Sequence, residues 1–491
     1  MRLLLFSVQF FFAFKVVAFH LKFNEQLVQS QLYINELRLN KAEQIIRSEK
    51  LNSPNNLACD YLLEYVYFYR VITSQSQTHL KQYKQLITYN NARYQQLADN
   101  IPEKKLFLAQ MSLHEAFANV LFEEYLKAAL LIRNANKLLV QNEKNFPNYF
   151  ANKKNLSIIE TLAGTLPDNY KWVASIAGMP GSFVNGLSNL LNYINQSDKQ
   201  LQNAVDAQEA KLAYVILMAQ FSDDKQTPYN YCKENLINCK TNLIHVFINA
   251  FVSLEHKKPF EVLKCIEQFN KTNEYPDFYF LDYMLARAKL YLNHRDADVW
   301  FKKYVTFGND EQIKKESYRK LSWISLLKGD TIAYKIYFRQ SAKSKKSEED
   351  EHIRELLAEN KFQDKQILQA RIYFDGGRYN DAINILENIN HKQIQNKYEQ
   401  IEYFYRLGRV YYENNNLGEA VLAFQKSVQI AETTIIYMVP YAEYYTALCY
   451  VKLNKKDLAK LHLKKALSYS GYQYESTLKQ KVKAALSGIE T

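Results

Sequence analysis

The sequence predicts an all-α fold, a right-handed solenoid of stacked helical hairpins. Three observations lead to this prediction. Gly (12) and Pro (9) are scarce in a chain of 491 residues, which disfavours folds dense in tight turns. The length exceeds what one compact core needs, so an elongated array is expected. Finally, small and aromatic residues recur at one fixed spacing near the C-terminus.

The recurring pattern is clearest in three copies, which begin at residues 370, 408 and 447. A small residue stands at offset 0, a tyrosine at offset 3, a second small residue at offset 12 and an apolar residue at offset 16. Two antiparallel helices approach closely where both lack side-chain bulk, so each copy is predicted to form one hairpin. The residues assigned to this packing are Ala370, Tyr373, Ala382, Gly408, Tyr411, Ala420, Phe424, Ala447 and Ala459.

Polar turns separate the two helices of each copy, as in DGGR after Phe374. Gly376 and Gly377 are expected to take the left-handed conformation that ends a helix. Weaker copies begin at Ser30 and Ala116, and two looser ones at Ala288 and Leu321. Most of the chain is therefore predicted to be one solenoid.

The three strong copies resemble the tetratricopeptide repeat, a helix-turn-helix unit usually of about 34 residues. The resemblance covers roughly residues 362 to 483. The segments LPDNYKW, GMPGSFVNGL and SYRKLSWISLLKGD are also similar to uncharacterised exported tetratricopeptide proteins of the Bacteroidetes. The resemblance implies a fold and an export route, and it implies no activity.

The N-terminus has the pattern of an export signal. Arg2 precedes the apolar run LLLFSVQFFFAF, and Val16 and Ala18 suit cleavage after Ala18. An uncleaved anchor and a buried first helix are the alternatives. The protein is expected in a periplasm or cell envelope. The predicted division is 1–18 signal peptide, 19–196 N-terminal helical repeats, 197–360 central degenerate repeats and 361–491 C-terminal tetratricopeptide domain.

An irregular segment, 145–194, interrupts the N-terminal repeats with prolines and glycines. It is predicted to form short apolar helices joined by tight turns, with Ser182 as a helix N-cap.

Five cysteines, an odd number, give no disulfide framework. Cys232 and Cys239 are the closest pair, but seven residues of helix rise about 10 Å, beyond the reach of a disulfide. We expect mostly buried free thiols, with one disulfide or a metal site as the alternative.

The formal net charge is +12, but the basic residues are spread along the chain without a long basic block. Nucleic acid is therefore not expected as a partner. Contact with an anionic membrane surface, or assembly in the cell envelope through the basic faces, is the alternative to a scaffold for proteins.

Motifs for catalysis are not recognisable. No two histidines have the spacing of a zinc-protease helix, and GMPGS lacks the lysine of a phosphate-binding loop. The stretch HRDAD, residues 294 to 298, is interpreted as a polar turn and not as a metal site. We expect no catalysis, no cofactor and no metal.

Binding to an unknown protein or peptide is the function that the repeats favour. In a stacked array the first helix of each pair lines the concave face, and its exposed positions follow the small residue at offset 0 by one and four residues. An extended peptide with carboxylates would suit arginines flanked by aromatic rings. Alternatively, the rings seal hairpin to hairpin, while Arg371 and Arg409 pair with Asp375 and Glu413. The predicted partner-binding residues are Arg371, Phe374, Tyr405, Arg409, Tyr412 and Tyr444.

Overall fold

The computed structural model describes residues 19–165, 181–197, 204–342 and 348–490. Within those ranges the protein contains helices and no strand, so the all-α prediction is confirmed. An isolated bridge joins His20 to Asn56. The predicted signal peptide, 1–18, lies outside the described residues.

Twenty-four α-helices make up the described part of the chain. In chain order they are α1 Glu25–Asn35, α2 Leu39–Asn52, α3 Leu57–Ser74, α4 Gln77–Tyr94, α5 Pro102–Leu121, α6 Tyr125–Asn145, α7 Asn152–Thr165, α8 Phe183–Ser197, α9 Ala204–Phe221, α10 Gln226–Asn235, α11 Leu243–Glu255, α12 Pro259–Glu267, α13 Tyr279–Tyr291, α14 Ala297–Phe307, α15 Glu311–Leu327, α16 Thr331–Ser341, α17 Glu348–Ala358, α18 Lys365–Asp375, α19 Tyr379–Glu387, α20 Lys397–Glu413, α21 Leu417–Ala431, α22 Met438–Lys452, α23 Lys456–Ser468 and α24 Glu475–Glu490.

The helices pack as consecutive hairpins. From α1 to α16 each odd-numbered helix pairs with the helix that follows it, and the pairing resumes at α18 with α19 and continues to α23. Two helices stand outside the pairs. α24 caps the array by packing on α23, while α17 lies between the two runs of hairpins. No helix among the described residues is long and apolar enough to span a bilayer.

A shared turn geometry ends most first helices. After α20, the Asn416 N–H donates to the Tyr411 carbonyl at 2.8 Å, and Asn415 has φ 61°. This is the Schellman arrangement, which satisfies carbonyls that a helix end leaves open. The same bond and left-handed residue follow α1, α5, α11, α13, α15, α18 and α22.

The turns after these eight helices fix the repeat register, because a small buried residue lies seven positions before the left-handed residue of each. This places the looser copies at Ala286 and Ser322, so the predicted registers at Ala288 and Leu321 are wrong by two residues and one residue. It also reveals a copy at Ala250 that the sequence reasoning missed. The full set of small residues is Ser30, Ala116, Ala250, Ala286, Ser322, Ala370, Gly408 and Ala447.

Close helix approach explains the small residues. A Cβ at Gly408 would lie 2.6 Å from the ring of Phe424, which is fully buried on α21. The nearest neighbour of Gly408 is therefore the ring at offset 16, and not Ala420 at offset 12. In the preceding copy only Gly377 is left-handed, with φ 73°. Gly376 has φ −87°, and its missing side chain allows a close helix contact, since a Cβ added there would lie 2.6 Å from the Cβ of Tyr291.

Within its described residues, the irregular segment contains the helices α7 and α8, which pack as a tight hairpin. Substituted Cβ atoms at Gly164 and Gly186 would collide with Phe183 and Thr161 on the opposite helix. Ser182 caps α8 as predicted, accepting a hydrogen bond from the Asn185 N–H at 3.2 Å. Residues 166–180 of this segment lie outside the described ranges.

One disulfide joins Cys239, in the loop before α11, to Cys265 on α12. Cys59, Cys232 and Cys449 are free and buried, as the main expectation states for most of the cysteines. The alternative of one disulfide describes the remaining pair. Its members are 26 residues apart and meet only because the α11–α12 hairpin folds back.

The array also closes upon itself. Arg38, after α1, donates from Nε to Glu274 at 2.7 Å, and the Leu243 N–H donates to the Glu36 carbonyl at 3.2 Å. Further along, Asn309 Nδ2 donates to the Ser74 carbonyl at 2.8 Å. The first two hairpins therefore contact the middle of the chain.

Candidate functional site

The predicted partner-binding residues lie on the first helices α18, α20 and α22, but most are not exposed. Phe374, Tyr405 and Tyr444 are 5%, 3% and 7% exposed. The expectation that these rings face a ligand is wrong, because the first helices pack so closely that their rings fill the seams between repeats. Tyr405, for example, lies edge-on to Tyr437, just before α22 of the next repeat, with ring centroids 6.2 Å apart.

Arg409 is also enclosed by aromatic rings of neighbouring repeats. Its guanidinium carbon lies 3.9 Å from the ring centroid of Tyr445 and 4.9 Å from that of Phe374. It also pairs with Glu413 at 3.5 Å, as the alternative interpretation proposed. Tyr412 is half-buried and lies edge-on to Tyr445. These two residues therefore serve packing between repeats.

Arg371 differs, because it borders an open cleft. Its Nη1 donates to Glu349 of α17 at 2.9 Å, and not to Asp375. Its guanidinium carbon lies 4.5 Å from the ring centroid of Trp323 on α15. Arg371 is thus a predicted residue that lines a cavity.

We call this cavity the Trp323 cleft. It has a volume of about 1090 Å³ and lies between α15, α17, α18 and the loop before α24. Its walls are Gln312, Lys315, Glu316, Arg319, Lys320, Trp323, Ser341, Glu348, Glu349, Asp350, Glu351, Arg371, Gly471, Tyr472, Gln473, Tyr474, Glu475, Ser476 and Lys479.

Three hydrogen-bond donors in the walls have no acceptor in the described part of the protein. They are Nε1 of Trp323, the hydroxyl of Tyr472 and Nη1 of Arg319. Trp323 and Tyr472 are 1% and 6% exposed, so bulk water does not satisfy them. Buried donors are nearly always paired, and leaving one unpaired costs about 1–3 kcal/mol. Their position on one cleft makes this cleft the candidate site for a ligand that carries acceptors.

A poorly compensated cation lies beside these donors. Lys320 is 7% exposed, and its ammonium lies 3.6 Å from the ring centroid of Trp323. Burial lowers its pKa to about 8 and the repulsion of Arg371 and Arg287 adds to this effect, while the attraction of Glu316 and Asp375 compensates only in part. An anion in the cleft would stabilise the charged lysine.

The correct register explains why this site was missed. Offset 1 of each copy was predicted to face the concave side. Counted from Ser322, that offset is Trp323, and counted from Ala286 it is Arg287. The register begun at Leu321 places Ser322 at that offset instead.

A second polar cluster lies in the N-terminal half and was also missed. We call it the Lys154 network. Lys154, 1% exposed, donates to Asp206 and Glu209 at 2.5 Å each and to the Tyr65 hydroxyl at 3.0 Å. Its members are Tyr61, Glu64, Tyr65, His114, Lys154, Asp206 and Glu209, contributed by α3, α5, α7 and α9.

His114 joins the two ends of this network. Its Nδ1 lies 2.9 Å from Glu64 and its Nε2 lies 2.7 Å from Glu209. Burial disfavours the imidazolium, but the two carboxylates outweigh burial and raise the pKa of His114 to about 9. Lys154 and His114 together hold the pKa of the Glu209 carboxyl well below its usual range, against the effect of burial.

The Lys154 network borders a cleft of about 1040 Å³ through Tyr61 and Asp206. Asp206 already accepts from Lys154 and, at 2.8 Å, from Tyr61. Every charged side chain of the network has an oppositely charged partner. It is therefore a closed structural unit that ties four hairpins together.

The HRDAD stretch lies in the α13–α14 turn. Asp296 pairs with Lys289 at 2.6 Å, and Asp298 pairs with Lys302 at 2.8 Å. Across the described residues no group of histidine, cysteine and carboxylate side chains could hold a metal ion.

Comparisons with known proteins give one family match and several structural likenesses. The family model for the tetratricopeptide repeat matches residues 401–434, which span α20 and α21. Among solved structures, the chain is similar to one in the APC/C hetero-tetramer Cut9–Hcn1, at 12% identity over 93% of this chain and 89% of that chain, with a TM-score of 0.26. It is also similar to yeast Tom70, at 11% identity over 95% of each chain, with a TM-score of 0.25.

At these TM-scores the likenesses carry no argument about the site. No curated protein matches the sequence. The hairpins themselves and the family match together show a solenoid that contains a tetratricopeptide repeat at residues 401–434.

Proposed function

We propose that the protein is an exported scaffold that binds a segment of a partner protein in the Trp323 cleft, without catalysis. The observation that carries the proposal is the set of buried donors without acceptors, on Trp323, Tyr472 and Arg319. A peptide backbone supplies carbonyl acceptors at regular intervals, and acidic side chains add carboxylates. Helical-repeat scaffolds commonly use such concave surfaces for binding.

Export is supported by two observations. The apolar N-terminal run has the composition of a signal peptide. The Cys239–Cys265 disulfide is typical of proteins that leave the reducing cytosol. An exported scaffold would meet its partner in the periplasm or at the cell envelope.

Site-specific photo-crosslinking tests the proposal. A photoreactive amino acid replaces Gln312, an exposed residue at the cleft, in the full-length protein expressed in its native host. The matched control carries the same amino acid at Leu422, which is 60% exposed on the second helix α21. We expect a specific crosslinked protein from position 312 and none from position 422.

The crosslinked partner, once purified, gives the decisive measurement. Its affinity should fall about three- to tenfold for Tyr472→Phe, because a hydrogen bond is worth about 0.5–1.5 kcal/mol and this hydroxyl makes no hydrogen bond to α17. Equal crosslinking from both positions, or an unchanged dissociation constant for Tyr472→Phe, would contradict the proposal.

A further inference from the structure

The helix α17 belongs to no hairpin, and its first turn is entirely acidic. Residues Glu348, Glu349, Asp350 and Glu351 form this turn, which lines the Trp323 cleft. The apolar side of α17 is anchored, since Ile353 and Leu356 are 1% and 6% exposed. The acidic turn therefore projects from a packed helix into the cleft.

The acidic turn is held by groups from distant parts of the chain. Glu348 accepts from the Tyr437 N–H at 2.8 Å through one oxygen and from the Gln473 N–H at 3.0 Å through the other. Glu349 accepts from Arg371, and Asp350 pairs with Arg319. Burial disfavours the Glu349 carboxylate, but Arg371 and Arg319 outweigh burial and lower its pKa to about 2.

Charge explains why an acidic turn occupies this position. Apart from α17, the cleft walls carry more cations than carboxylates. The cations are Lys315, Arg319, Lys320, Arg371 and Lys479, and the carboxylates are Glu316 and Glu475. The four acids of α17 compensate this positive wall. The turn thus has the chemistry of a bound acidic peptide, although it belongs to the same chain.

The acidic turn fills the cleft incompletely. Trp323 Nε1, the Tyr472 hydroxyl and Arg319 Nη1 remain without acceptors although α17 is in place. A ligand that occupies the same position and reaches these donors gains hydrogen bonds that α17 does not make. Such a ligand can compete with α17 even though α17 is tethered.

We propose that α17 is an internal occupant of a binding site for an acidic segment of a partner protein, one with several carboxylates within a helical turn, and that the partner displaces it. This inference rests on the proposed scaffold function and names the chemistry of the partner. The apparent association constant equals the intrinsic constant multiplied by the fraction of molecules in which α17 has left the cleft. Weakening the seat of α17 should therefore strengthen partner binding.

A synthetic peptide tests this relation. The probe is a fluorescein-labelled peptide with the sequence of residues 348–360, EEDEHIRELLAEN, added to the full-length protein and followed by anisotropy. In the double variant Glu349→Gln with Asp350→Asn we expect at least about tenfold tighter binding than in the wild type, because the competing turn has lost two charge-assisted contacts.

Two controls separate this effect from nonspecific attraction. The peptide QQNQHIRELLAEN lacks the four carboxylates and should not bind. Adding Arg371→Ala to the double variant should remove the gain. Equal binding of both peptides, or no gain in the double variant, would overturn the inference. If the wild type self-associates and the peptide dissociates the oligomer, the inference would also be overturned, because the occupant of the cleft would then be a second copy of this chain.

Hydrogen exchange in the wild-type protein tests the inference even if the double variant is unstable. In the wild type, saturating peptide should speed amide exchange in α17 at least about tenfold while other helices keep their rates; unchanged exchange in α17 would contradict displacement. The two proposals can fail separately. A crosslinked partner at position 312 that has no acidic segment would support the scaffold function and would overturn only this inference.

Discussion

The two polar clusters of this solenoid differ in how completely their groups are paired. In the Lys154 network each buried charge meets an opposite charge, and the tyrosine hydroxyls donate to carboxylates. In the Trp323 cleft three donors have no acceptor and Lys320 is held at a lowered pKa. A completed network rigidifies a fold, whereas an incomplete one is stable only if a ligand or water completes it. We therefore interpret the first cluster as a structural tie and propose the second as a binding site.

The largest effect should come from opening the completed network. Lys154→Met leaves Asp206 without its cationic partner and Glu209 with His114 alone, and breaking a buried ion pair this way costs about 3–5 kcal/mol. Urea unfolding measures the loss. Lys153→Met is the control, because Lys153 is half exposed and its pair with Glu143 is worth at most about 1 kcal/mol. Equal losses would show that the network is not a structural unit.

A pH titration probes the same network at His114. The folded pKa is raised from 6.5 to about 9, so the stabilising contribution is complete below pH 6.5 and is lost as pH rises through 9. The expected loss is roughly 2–4 kcal/mol. Urea unfolding at pH 6.5 and pH 9.5 measures it. The difference should shrink in His114→Gln, and a difference of the same size in that variant would assign the titration elsewhere.

The smallest effect compares two tyrosine hydroxyls. Tyr65 donates to Glu209 at 2.6 Å, so Tyr65→Phe should cost about 1–3 kcal/mol. The hydroxyl of Tyr472 has no acceptor within the described residues. Tyr472→Phe should therefore leave the unfolding free energy unchanged or raise it by up to about 1 kcal/mol. Equal losses in both variants would mean that the Tyr472 hydroxyl has a partner and would weaken the case for a ligand.

The fold was predictable because its packing rule is local. A small residue, a turn and a second helix lie within about twenty residues, so Gly408 and Phe424 mark their hairpin in the sequence. The looser copies were harder to align. Ala286 and Ala288 are both small, and only the left-handed Asn293 decides between them.

The candidate site was only partly predictable. Arg371 was found by its offset, but the burial of Tyr405 depends on how tightly successive repeats pack, which offsets do not encode. The Lys154 network joins helices that lie far apart in sequence, since Lys154 contacts Tyr65 from 89 residues away. No residue spacing in the sequence predicts such a contact.

The closure of the array changes how the protein is expected to assemble. In an open repeat protein each unit depends only on its neighbours, so folding can begin at either end and proceed one unit at a time. Here Asn309 seals the end of α3 from 235 residues away. The first hairpins therefore leave the ribosome long before the segment that completes their edge is made. During synthesis they must wait with that edge uncovered, and unfolding of the finished protein should be more cooperative than the peeling of a linear array.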